Sequence, residues 1–403
     1  MGESGLLHNP PREAAWEFPP AEFRRRLQGA RRRMAAAGID CLFLTSEKNI
    51  RYLTGFHTQI WVSPTRPRYF LLPLTKEPVA IVPATNVWGF RRTTWIADIR
   101  SWPAPRPEDD GISLILDELK GFVPAGGKLA AEIGPETRVE MPVGDFLRIR
   151  DGLDRVEIVD AGQILRPLRM VKSPEEVDRV GRAAEIGSEG FSRLSSMLHA
   201  RQSEREVYRR LHLLLTELGA DKVPYLVPAS GPSGYEQVNM GPSDRVLERG
   251  DLLFIDVGLT SHGYFCDFDR NFAIGETTKE LREAYARVFA ATEAGIQAVR
   301  PGRTAAEVWR AMATVLDPHG GADTPIGRMG HGLGLDITEP PSIAPGDSTV
   351  LGVGMVLTIE PSLVLPPRAG AGRRLMVHEE NIVVTEQGCR LLTRRAAPEL
   401  PVV

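Results

Sequence analysis

The sequence predicts an α+β fold in which a smaller N-terminal α/β unit precedes a larger unit of helices mixed with antiparallel strands. Three observations carry this reading. The chain has 403 residues, long for a single hydrophobic core. Residues 20–165 alternate one helical period with short apolar runs, the pattern of an α/β unit. Residues 166–403 contain several marked helix starts, with longer apolar runs between and after them that can fold back on one another.

Taken in order, residues 1–19 read as a loose tail without the basic-then-apolar pattern of a signal peptide. "PAEFRRRLQGARRRMAAA" (20–37) reads as a helix, with Arg24–Arg26 and Arg31–Arg33 forming a solvated face. "GIDCLFLTS", "RYFLLPL" and "PVAIVPA" are apolar runs bounded by turn residues, hence strands. A helix around "ISLILDELKGF" and a strand at "KLAAEIG" continue the alternation. "VEIVDAGQILRPLRMVKSPEE" reads as a crossover into the second unit, 166–403. There, Ser173 with Glu176, Ser203 with Glu206, Thr277 with Glu280 and Thr304 with Glu307 each have capping-box spacing, and Pro174 stands at a first helical position. Strands are expected at 251–259, 264–274, 354–365 and 375–385.

The totals exclude some classes. A net charge of −3 provides no electrostatic basis for binding nucleic acid or an anionic membrane. No apolar run approaches the ~20 residues of a membrane span. Cys41, Cys266 and Cys389 are too scattered for a disulfide framework, which suits a reducing cytoplasm.

Chemistry first shows in "DLLFIDVGLTSHGYFCDFDRNFAIG". Asp256 interrupts an apolar strand, and a buried carboxylate needs a partner. A turn centred on Ser261 and His262 would bring Asp256 directly across from Asp267, with Cβ atoms roughly 4.5–5.5 Å apart. Asp269, two residues on, shares that face. Such carboxylates repel unless a cation lies between them. "GMVLTIEPSLVL" and "RLMVHEENIVVTE" repeat the arrangement with Glu360 and the Glu379–Glu380 doublet, of which one member must face away. Together with His331, flanked by Gly330, Gly332 and Gly334, these residues make an oxygen-rich ligand set for two divalent metals. The glycines would let the backbone pass close to such a site.

At these residues the sequence resembles the M24 or "pita-bread" metallohydrolases: methionine aminopeptidase, Xaa-Pro aminopeptidase, prolidase and creatinase-like relatives. The resemblance runs from about residue 20 onward and rests on "FIDVG", "GYFCDFDRNFAIG", "GHGLGLDITEPP", "GMVLTIEPS" and "HEENIVVTEQG". It implies a C-terminal pita-bread domain behind a creatinase-like N-terminal domain. It also implies ligands in the order Asp256, Asp267, His331, Glu360 and Glu379, with Asp267 and Glu379 bridging two ions. Manganese, iron, cobalt or zinc would suit that donor set. The implied architecture is a homodimer whose smaller domain helps close the partner's active site.

Three positions depart from the peptidase pattern. Asn239 and Thr338 stand where the peptidases carry histidines that bind substrate, and Asp269 stands in place of a threonine. Asparagine donates a hydrogen bond but does not titrate near neutrality. A lost oxyanion donor costs roughly 2.7–4 kcal/mol in comparable sites, so Xaa-Pro dipeptides are expected to turn over slowly. Asp269 is either a sixth ligand or a carboxylate paired with Arg270 or a lysine. Arg66, in "SPTRPRYFLLP", occupies the place of a creatinase arginine that holds a substrate carboxylate, or else is a surface residue. Tyr264 is a further candidate substrate contact.

The resulting expectation is a two-metal hydrolase, similar to Xaa-Pro dipeptidases and aminopeptidases, of a small amide, dipeptide or other small carboxylate-bearing compound. Glu360 would shuttle the proton and His331 would join in catalysis. Two alternatives stay open. One is a non-peptidase enzyme similar to dimethylsulfoniopropionate lyases or ectoine hydrolases, with Asp336 or Asp269 as the base. The other is a non-catalytic binding protein on the same fold.

Overall fold

A computed structural model describes residues 17–232, 234–319, 327–365 and 374–403. The chain divides into two compact units between Leu168 and Arg169.

The first unit is built on a six-stranded sheet. Its strands are β1 (Cys41–Leu44), β2 (Tyr69–Pro73), β3 (Val79–Pro83), β4 (Asp98–Trp102), β5 (Lys128–Ala131) and β6 (Glu157–Asp160), in the order β4-β3-β2-β1-β5-β6. β1, β2 and β3 pair antiparallel, and the other neighbours pair parallel. β1, β2, β3 and β5 fall on the four apolar runs. β4 and β6 were not anticipated. They are the two edges of the sheet, partly exposed, and so lack the apolar runs of the buried strands. The helix Pro20–Ala37 forms as expected, but Arg26 corrects the solvated-face reading. Its side chain is fully buried, donates to the Glu22 carboxylate at 2.7 Å and the Tyr52 carbonyl at 2.8 Å, and lies over the Phe18 and Tyr52 rings. Paired and stacked this way, a guanidinium is stable out of water.

In the second unit, β7 (Lys222–Pro232), β8 (Asp251–Ser261) and β9 (Tyr264–Ala273) form an antiparallel sheet. A five-stranded sheet runs β11-β10-β12-β15-β16: β10 is His331–Gly332, β11 Glu339–Ser342, β12 Val356–Ile359, β15 Glu380–Thr385 and β16 Gly388–Leu391. β13 (Ser362–Val364) and β14 (Leu375–Val377) make a separate pair. β8 reads as continuously apolar because both of its faces are covered. Leu253, Ile255, Val257 and Leu259 join Cys266 and Phe268 of β9 in a core beneath the helices Pro174–Ser195 and Glu204–Glu217. Leu252 and Phe254 face the other core, which takes in the helices Lys279–Ala298 and Ala305–Leu316. Asp256 continues this second face, so the candidate residues stand on a floor packed from both sides.

Capping boxes form at Ser173–Glu176, Ser203–Glu206 and Thr304–Glu307. The fourth start lies one residue later than expected: Thr278, not Thr277, caps the helix, with its hydroxyl accepting from the Leu281 amide. Among the described residues no helix is long and apolar enough to cross a membrane.

Candidate metal centre

The β8–β9 hairpin closes through His262 and Gly263, both at positive φ (48° and 75°), the requirement of a two-residue type I′ turn. The turn lies one residue later than the sequence predicts. The register therefore pairs Asp256 with Asp269, and Asp267 faces Gly258. The shift is two positions, so all three aspartates still share one face.

Glu360 and Glu379 occupy equivalent positions at breaks in the strands. Glu360 lies between β12 and β13, next to Pro361, which has no amide hydrogen to continue a ladder. Glu379 lies between β14 and β15. The doublet is separated by remote charges. Glu380 turns to Arg270 and Arg395, at 3.1 and 3.0 Å, and accepts from Thr393. Glu379 is left at the centre of the acidic cluster.

His331 arrives from a third direction. Gly330 sits at φ 143°, where a Cβ would strike the Thr358 carbonyl, and a Cβ on Gly332 would strike the Pro340 carbonyl. Only glycine permits β10 to lie this close to its neighbours. One ligand atom each of Asp267, His331 and Glu379 lies within 4.8 Å of the other two. His331 Nε2 is 3.6 Å from Asp267 Oδ2 and 3.4 Å from Glu360 Oε1. Its Nδ1 is 2.9 Å from the Gly332 carbonyl, which can only accept. Nδ1 therefore carries the proton, and the Nε2 lone pair faces the carboxylates. A lone pair aimed at two anions is repulsive unless a cation joins them.

Four oxygens support the fit. Asp256 Oδ1, Asp267 Oδ1, Asp269 Oδ2 and Glu379 Oε1 are buried without a hydrogen-bond partner among the described residues. Buried polar atoms are almost always paired, so four orphans in one place point to a bound group. The electrostatics agree. Burial, followed by the Glu360 charge, pushes Asp256 up to about 7. Burial takes Glu360 to about 7 against the nearby Arg328. Burial and mutual repulsion raise Asp267 and Glu379 far above the usual carboxylate range. Burial lowers His331 to about 4, keeping the imidazole neutral as a ligand must be.

Several supporting residues were missed by sequence reading. Asn381, buried in β15, donates to the Asp267 carbonyl and accepts from its amide, clamping that backbone. Thr358 accepts from the His331 amide at 3.0 Å and donates to Glu360 Oε1 at 3.3 Å. Tyr225 donates to the Val238 carbonyl at 2.9 Å and lies against the Asp256 carboxylate. A polar residue inside an apolar strand was the available signal for Asn381 and Thr358.

Three other expectations are corrected. Tyr264 belongs to the opposite face of β9, buried, with its hydroxyl on Glu176. Asp336 is held by Arg169 at 2.7 Å in a network with Glu339 and Lys172, and does not stand free as a base. Arg270 donates to the Asp269 main-chain carbonyl, not to its carboxylate. Asn239 and Thr338 are exposed, and Arg66, half-buried at φ 58°, belongs to the first unit.

Against known families, residues 178–386 match the model of metallopeptidase family M24, and 26–171 match the creatinase/prolidase N-terminal domain. The chain belongs to family M24. It is similar to the probable dipeptidase PepE of Mycobacterium tuberculosis, at 30% identity over 92% of this chain and 94% of that one. Among solved structures it resembles dipeptidase PepE from Mycobacterium ulcerans (TM-score 0.82, 31% identity, 96% of this chain and 99% of that one). It also resembles prolidase from Thermococcus sibiricus (TM-score 0.83, 27% identity, 94% and 99%). This M24 protein is a hydrolase of the metal-dependent peptidase class. The lyase and binding-protein alternatives find no support among these relatives.

Proposed function

We propose that this M24 protein is a dipeptidase, Xaa-Pro dipeptides among its substrates, working with two divalent ions held by Asp256, Asp267, His331, Glu360 and Glu379. The observation that carries the reading is the convergence of a neutral imidazole lone pair with buried, unpartnered carboxylate oxygens. The dipeptidase names of its relatives support the substrate class. A bound divalent ion supplies Lewis-acid activation of water and of the scissile carbonyl. The protein's own groups do the rest. Asn381 and Thr358 hold Asp267, His331 and Glu360 in place. Glu360, 24% exposed against 10% for Asp267, is the more open to substrate. It takes the proton of the attacking water and returns it to the leaving amine. Two ions in place of one, and manganese, iron, cobalt or zinc as their identity, belong to the proposal. So do a homodimer and a reducing cytoplasm, the latter in keeping with three cysteines that are all free.

The test is to load the metal-depleted protein with each ion in turn and to assay Ala-Pro, Met-Pro and Ala-Leu beside small betaines and cyclic amidines. Dipeptide hydrolysis at or below ~10 s⁻¹, the median for enzymes, is expected. The absence of the peptidase imidazoles at Asn239 and Thr338 favours the low side, since they bear on rate and not on reaction class. Turnover of a betaine or amidine with every dipeptide intact would refute the dipeptidase reading.

Arg66, at the place of the creatinase arginine in the sequence, is the group proposed to grip a substrate carboxylate. Arg66→Ala is expected to raise KM for dipeptides about tenfold or more, leaving kcat and metal content unchanged. An unaltered KM assigns Arg66 to the surface.

A further inference from the structure

We infer that Asp269 is a sixth donor to the metal centre, and that it biases the centre towards a hard, oxygen-preferring ion such as Mn²⁺ over Zn²⁺. The inference rests on the five-residue centre proposed above. Asp269 stands directly across from Asp256 and two residues along β9 from Asp267, on the same face. It is 1% exposed, and its Oδ2 has no hydrogen-bond partner among the described residues. Its Oδ1 is 3.3 Å from the Asn271 amide nitrogen, a long contact. The adjacent guanidinium makes no hydrogen bond to this carboxylate. Arg270 directs its guanidinium to the carbonyls of Asp269, Glu379 and Arg394 and to the Glu380 carboxylate.

Two aspartates paired across a hairpin, each with an orphaned buried oxygen, repel each other unless a cation joins them. A cation held by Asp256 would relieve that repulsion, and the described residues offer the Asp269 carboxylate only the long Asn271 contact. An added carboxylate raises both the negative charge and the number of oxygen donors. Zinc favours four ligands, with nitrogen or sulfur among them, whereas higher oxygen coordination suits Mn²⁺.

Full-length wild type, Asp269→Asn, Asp269→Thr and the control Asp256→Ala are stripped with EDTA and titrated calorimetrically with MnCl₂ and with ZnCl₂. Bound Mn²⁺ is followed by electron paramagnetic resonance and stability by scanning calorimetry. Both Asp269 variants are expected to weaken Mn²⁺ at least ~10-fold and Zn²⁺ less than ~3-fold, with an altered Mn²⁺ spectrum. Metal-free Asp269→Asn should melt at or above wild type, because a neutral amide removes the repulsion between Asp269 and Asp256 across the hairpin. A purely structural Asp269 would instead lower the melting temperature and leave the Mn²⁺/Zn²⁺ ratio unmoved. Mn²⁺ affinity within about twofold of wild type in Asp269→Asn, beside a ~10-fold or greater loss in Asp256→Ala, overturns the sixth-donor inference alone. Wild-type Mn²⁺ binding by Asp256→Ala overturns the five-residue centre beneath it.

Discussion

Asp267→Ala and His331→Ala are each expected to lower kcat by about 10³-fold or more, with loss of bound metal and little change in secondary structure. The expectation follows from where these side chains stand. Asp267 Oδ2 and His331 Nε2 are 3.6 Å apart, and Glu379 offers an oxygen within 4.8 Å of both. Removing either takes a donor from the middle of the cluster. Lewis-acid activation is worth several kcal/mol, and each 1.36 kcal/mol is a factor of ten in rate, hence the about 10³-fold loss. Asn381→Ala should give a milder version, about 10–100-fold, because it frees the backbone that carries Asp267 and leaves the carboxylate present. Metal content by mass spectrometry and circular dichroism accompany the kinetics. Full metal occupancy with an unchanged rate in Asp267→Ala would remove this residue from the centre.

The second large effect is a metal-linked pH dependence of stability. In the metal-free protein Asp256 and Glu360 titrate at about 7, and Asp267, Asp269 and Glu379 well above the usual range. The unfolded chain releases these protons near pH ~4. Between ~4 and 7 the folded state therefore binds more protons than the unfolded one, so stability falls as pH rises through that window. The groups shifted further extend the decline above 7. A divalent ion takes the place of the protons, so its stabilisation should grow over the same range. At a concentration of ~100 Kd, about 2.7 kcal/mol is expected, a rise in Tm of roughly 5–10 °C. Scanning calorimetry at pH 5, 6, 7 and 8, with and without Mn²⁺, measures both slopes. A metal-free Tm that climbs from pH 5 to 8, with no added effect of metal, would contradict the buried-carboxylate account.

How far the sequence reaches is clearest at the hairpin. Alternation by two assigns Asp256, Asp267 and Asp269 to one face, and that was legible without coordinates. Which aspartate stands opposite which was not, because a slip of two residues preserves every face. The turn decides it, through the positive φ of His262 and Gly263. The Glu379–Glu380 doublet is similar. Neighbouring residues cannot both face the cluster, yet the choice between them depends on Arg270 and Arg395, the first far away in sequence, which hold Glu380. Family resemblance could assign the places, but the charges that enforce them are visible only in three dimensions.

By itself the sequence determined what local rules control: the apolar runs of the buried strands, three of four capping boxes, and the set of acidic residues and one histidine too polar for their surroundings. Edge strands, with one side open, carried too little apolar pattern to be read. The tertiary structure decided everything set by approach from a distance. It buried Arg26 against aromatic rings, turned Tyr264 to Glu176, and tied Asp336 to Arg169. Among the described residues it also left four carboxylate oxygens buried without partners. Side-chain type and spacing report what a residue can do. Whether its partner arrives depends on chain segments that pack against it from elsewhere, and no local pattern encodes that distance.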